Sequence, residues 1–81
     1  MEELRIENSE SPQEIEISTE FIKLDSFVKY CGEAATGAEA KQIITDGDVK
    51  VNGDVCSMRG KKLTGGDKVE IYSNKYMVIK K

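Results

Sequence analysis

The sequence has no histidine and no tryptophan, only two cysteines and one proline, and no long apolar run among its 81 residues. Without histidine, the commonest general base and a frequent zinc ligand are missing, and no serine or cysteine has a substitute base at a motif spacing. Cys31 and Cys56 are far apart and lack metal-ligand spacing, so they read as small apolar residues, with a redox role as the lesser alternative. Gly65-Gly66 lacks the Lys-Ser/Thr ending of a phosphate loop and reads as a turn. The expectation is a chain that is not an enzyme and uses neither cofactor nor metal. Apolar segments are short and broken by charge, which excludes a membrane-spanning helix. The acidic start Met-Glu-Glu-Leu-Arg lacks the basic and apolar regions of a signal peptide, so the expected location is cytoplasmic, away from membranes.

What is present suits one domain, since 81 residues with 38% hydrophobic side chains leave no room for a second core. The net charge of −3 hides a division: residues 1–20 hold Arg5 against seven glutamates, −6, whereas residues 21–81 hold eleven cations against eight acids, +3. Such asymmetry points to an acidic tail on a mildly basic binding domain. Residues 1–13 are polar and acidic and are expected to be disordered, leaving 14–81 as the domain.

Local signals place the elements. Glu14 to Thr19 alternates with Ile15 and Ile17 on one face and reads as an edge strand, whose mate is the run Lys75–Lys80. Asp25 is expected to cap a short helix carrying Phe27, Val28 and Cys31 on its apolar face, with Gly32 as its stop. Thr36 and Glu39 form a capping box for a second helix, Gly37 to about Thr45, with Ala40, Ile43 and Ile44 inward and Gly47 at its end. Ala34, Ala35, Ala38 and Ala40 would let the two helices approach closely. Val49 and Val51 alternate with Asp48 and Lys50, and Asn52-Gly53 is the two-residue turn of a hairpin. Thr64 to Asp67 turns the chain into a strand ending at Tyr72, and Ser73-Asn74 reverses it. The fold class is α+β: two short packed helices, then a small, mostly antiparallel sheet.

The densest functional signal is Arg59-Gly60-Lys61-Lys62, three cations around a glycine, with Lys41 and Lys50 on neighbouring elements. Such a cluster suits phosphates, because each neutralised phosphate releases counterions. The alternative at this point is a solvated loop. Tyr30, Tyr72 and Tyr76 could stack on unpaired bases, although at least one should be core.

These residues resemble the small RNA-binding domain first seen in the fourth protein of the small ribosomal subunit, the alpha-L motif, over about residues 21–72. Lys23-Leu24-Asp25-x-Phe27 is similar to its opening, Thr36-x-x-Glu39-Ala40-Lys41 to its second helix start, and Gly47-x-Val49-x-Val51-Asn52-Gly53 to its most specific signature. Gly66-Asp67 matches its closing turn, and Arg59-Gly60-Lys61-Lys62-Leu63 looks most like the stand-alone YaaA/YbcJ-like bacterial proteins. Gly37, Ser26 and Met58 replace cations found in relatives, which implies weaker binding. The resemblance implies a non-catalytic module for structured RNA, ribosomal or transfer, free or on the ribosome, and a monomer is favoured. It implies Lys41, Lys50, Arg59, Lys61 and Lys62 as phosphate contacts on one face formed by the second helix and the hairpin start, with Lys23 and Lys29 near the rim. Two rivals are a protein-interaction module docking on a ribosomal or replication protein, and a DNA-binding accessory factor.

Overall fold

The computed structural model describes residues 12–81. The strands are β1 (Gln13–Ile17), β2 (Ile22–Lys23), β3 (Val49–Val51), β4 (Asp54–Val55), β5 (Lys62–Leu63), β6 (Lys68–Ile71) and β7 (Asn74–Lys80), and the helices are α1 (Leu24–Tyr30) and α2 (Gly37–Thr45). Five strands form one sheet in the order β1-β7-β6-β3-β4, and β2 pairs with β5 in a separate two-stranded ladder. β1 joins β7 in parallel, with Ile15 opposite Val78, and every other pairing is antiparallel. The expected pairing of the two ends is therefore present. Most of the acidic segment expected at 1–13 lies outside the described residues, and its last residue, Gln13, already belongs to β1.

Alternation along the strands sends Val49, Val51, Val69, Ile71, Tyr76 and Val78 to one face, where they are buried with Leu24, Phe27 and Val28 of α1 and Ala40, Ile43 and Ile44 of α2. Phe27 is fully buried, worth about 1.5–3 kcal/mol by transfer alone. Both helices are too short to persist alone, so this shared face holds them. Of the four alanines, Ala34 and Ala40 are buried, whereas Ala35 and Ala38 are exposed and do not mediate helix contact.

Both helices end alike. The amide of Asp48 donates to Ile43 O at 3.3 Å and that of Gly47 to Ile44 O at 3.1 Å, while Glu33 donates to Val28 O at 3.2 Å and Gly32 to Lys29 O at 3.0 Å. This double closure puts the residue after the cap at positive φ, which Gly47 (81°) and Gly32 (93°) accept without steric conflict. At the start of α2, Thr36 Oγ1 accepts from the Glu39 amide at 3.2 Å, and the Glu39 carboxylate reaches one residue beyond the usual box to the Ala35 amide, 2.7 Å away.

The start of α1 departs from expectation. β2 runs straight into the helix, Lys23 is the N-cap, and among the described residues the Asp25 carboxylate accepts only from its neighbour Ser26. The first amides of α1, which need partners outside the helix, donate instead to loop carbonyls: Leu24 to Lys61 O at 2.8 Å and Asp25 to Arg59 O at 3.2 Å. The last reversal also lies one residue earlier than expected. Ile71 pairs with Asn74, Tyr72-Ser73 form the turn, and Tyr72 takes φ 59° while its amide donates to Asp48 O.

Tyr76 is core, its ring edge-on to Phe27 at 6.1 Å, and its hydroxyl donates to the Glu33 carboxylate, which also accepts from Asn74 Nδ2 at 2.7 Å. Glu33 thus fastens the loop after α1 to β7. Burial, then the Glu33 carboxylate, raise the Tyr76 pKa above its ordinary value. A phenol whose proton is held more tightly in the folded state stabilises the fold fully below about pH 10, and this contribution is lost as pH rises beyond it. Denaturant midpoints should therefore fall more steeply between pH 9 and 11 for the natural chain than for Tyr76→Phe. Parallel curves for the two would remove this link.

Candidate nucleic-acid interface

The hydrogen bonds that start α1 also build a cationic surface. By accepting from Leu24 and Asp25, the carbonyls of Lys61 and Arg59 pin the loop after the β3–β4 hairpin against the first turn of the helix. The loop then enters β5, whose two residues pair with β2: Leu63 opposite Ile22 and Lys62 opposite Lys23. Leu63 is buried and Ile22 packs against the core, so the lysines of this ladder face solvent. Lys23, Arg59, Lys61 and Lys62, contributed by two segments far apart in sequence, thus meet around one helix start.

This arrangement is electrostatically unfavourable on its own. Like charges directly opposite in an antiparallel pair destabilise it, where an opposite-charge pair would contribute about 0.2–1 kcal/mol. Partial compensation comes from Phe21, whose ring lies 4.8 Å below Lys62 Nζ. All four cations are exposed, and a dense exposed charge of one sign is what a polyanion requires.

The remaining expected residues fall elsewhere. Lys29 is on the outer flank of α1, where Ser26, Tyr30 and Ile22 line a shallow depression with it. Lys41 follows buried Ala40 and is exposed on α2. Lys50 alternates with buried Val49 and Val51, so it projects from the sheet face turned away from the helices. Of the tyrosines, Tyr76 is core, Tyr72 is exposed at its turn, and Tyr30 is exposed with its hydroxyl donating to Glu16 O at 3.0 Å. Phe21 was missing from the sequence reading. Its signal was the apolar pair Phe21-Ile22 immediately before Lys23, which a search for a mate to Leu63 would have found.

Comparison with known proteins places this surface in context. A family model described as S4 domain matches residues 15–79. The chain is 40% identical over 57 residues, 70% of its length and 80% of the relative's, to a Bacillus subtilis protein named probable ribosome maturation protein RlbA. Among solved structures it is similar to YbcJ from E. coli, with a TM-score of 0.66 and 26% identity over 85% of this chain and 89% of that one. The solution structure of YbcJ is described as revealing an alfaL motif involved in RNA binding.

Proposed function

The chain belongs to the S4 domain family, a family of binding modules and not of enzymes, and from that membership we propose that it binds structured RNA through the phosphate backbone. The observation that carries this reading is Lys23 opposite Lys62, with Arg59 and Lys61 fixed beside them by their own carbonyls. The fold keeps four cations together at a cost to itself, and phosphate contacts repay that cost through counterion release. Lys29 on α1 and Lys41 on α2 are further exposed cations outside this cluster.

Backbone contacts position a protein without reading bases, so selectivity comes from RNA shape. The likeness to a ribosome maturation protein favours ribosomal over transfer RNA, with the protein acting on rRNA during assembly. Competition among bacterial rRNA fragments, unfractionated tRNA and duplex DNA of matched length, at 50 mM and 200 mM salt, tests this. The expected order is rRNA ahead of tRNA and DNA, with affinity falling steeply as salt rises. Equal competition by DNA, or affinity indifferent to salt, would overturn it.

A further inference from the structure

The sheet face turned away from the helices carries a second concentration of cations. A groove of about 520 Å³ there is lined by Lys50, Lys68 and Lys75 from three adjacent strands, together with Glu70, Asn52 and Pro12. Lys50 stands opposite Glu70, Glu70 opposite Lys75, and Lys68 two residues along β6 on the same face. With strands about 4.8 Å apart, Lys50 and Lys75 start about 10 Å from each other. Two flexible four-carbon side chains close that gap onto one phosphate or two successive ones.

Cross-strand charge pairing alone does not account for this pattern. Glu70 answers Lys50 and Lys75, but Lys68 stands opposite Met77, and Glu14 of the same face lies beyond Met77 on β1. The face therefore sets three cations over β3, β6 and β7 around the single carboxylate of Glu70, with Glu14 at the β1 edge. Lys68 is also held in place: its amide donates to Asn52 Oδ1 at 3.0 Å and its carbonyl accepts from the Asn52 amide at 2.7 Å.

We infer that this groove is a second phosphate-binding site, which takes the backbone of the same RNA where it continues past the β3–β4 hairpin. The inference rests on the RNA-binding reading above and extends it to the opposite face of the sheet. Lys68 and Lys75 lie outside the loop cluster, so their contribution can be separated from it.

In salt titrations with bacterial rRNA fragments, Lys68→Ala/Lys75→Ala should make the slope of log K against log salt shallower by about 1.4–1.8 units, which is roughly 25- to 60-fold at 0.1 M. A natural slope in this variant, while loop substitutions still weaken binding, overturns the groove and leaves the family reading intact. A chain lacking residues 1–11, which carry Glu2, Glu3, Glu7 and Glu10 beside Arg5, should show the same loss on double substitution. A loss confined to the full chain would mean that the lysines answer to the acidic segment and not to RNA. Inorganic pyrophosphate provides a readout independent of RNA. At low salt it should shift the amide resonances of Asn52 and Lys68 in the natural chain and not in the double variant, and unmoved resonances overturn the site whatever RNA does.

Discussion

Replacing Arg59, Lys61 and Lys62 together by alanine is expected to weaken rRNA binding roughly 100- to 500-fold at 0.1 M salt and to make the salt slope shallower by about two to three units, because each phosphate contact contributes about 0.7–0.9. The fold should survive. These side chains are exposed, and what α1 needs from the loop is the carbonyls of Arg59 and Lys61, which alanine supplies equally well. Removing Lys62 gives up its contact with Phe21 but also relieves its repulsion with Lys23, two small terms of opposite sign. Circular dichroism melts of the triple variant should match those of the natural chain. A matching melt with an unchanged salt slope would show that the loop does not touch phosphate.

Gly53→Val is expected to have the largest effect on stability. Asn52 and Gly53 sit at φ 52° and 94°, the left-handed pair that a two-residue hairpin turn requires. Among the described residues nothing lies within 4 Å of a Cβ added at Gly53, so the cost comes from the backbone and not from collision. A β-branched residue there should cost about 1–2 kcal/mol, and in a domain of this size each kcal/mol lowers the melting temperature by about 4–8 °C. The turn is also a junction. Asn52 holds Lys68 through its backbone and side chain, and its Nδ2 donates to Asp67 Oδ1 at 3.2 Å, while Asp67 Oδ2 accepts from the Thr64 amide at 2.8 Å. Strain at Gly53 therefore reaches the Thr64–Asp67 turn and β6. Thermal melts decide, and an unchanged midpoint would contradict the role of this turn.

The acidic charge of the first twenty residues and the cations of the rest were legible in composition, and the boundaries of α2 and of the β3–β4 hairpin were legible in local motifs. Thr36 with Glu39, Gly47 and Asn52-Gly53 determined a helix start, a helix stop and a turn, because capping and positive φ depend on a few consecutive residues. Alternation in Glu14–Thr19 and the matching length of the run Lys75–Lys80 were enough to pair the chain's two ends, but they do not distinguish parallel from antiparallel, and the parallel direction was settled only in the sheet.

Tertiary structure decided which cations share a surface. β2 and β5 are two residues each, too short for any periodicity, yet their pairing sets Lys23 against Lys62 and brings Arg59 and Lys61 to the helix start. Asp25 looked like a cap and is not one, because the helix already begins at Leu24, where two carbonyls from a distant loop take its first amides. Lys50 looked like a partner of that loop and instead joins Lys68 and Lys75 in the groove on the other side of the sheet. Dihedral preference and capping act between neighbours in sequence, so one chain segment suffices to determine them. A charged surface is assembled by register, and register exists only once distant strands have paired.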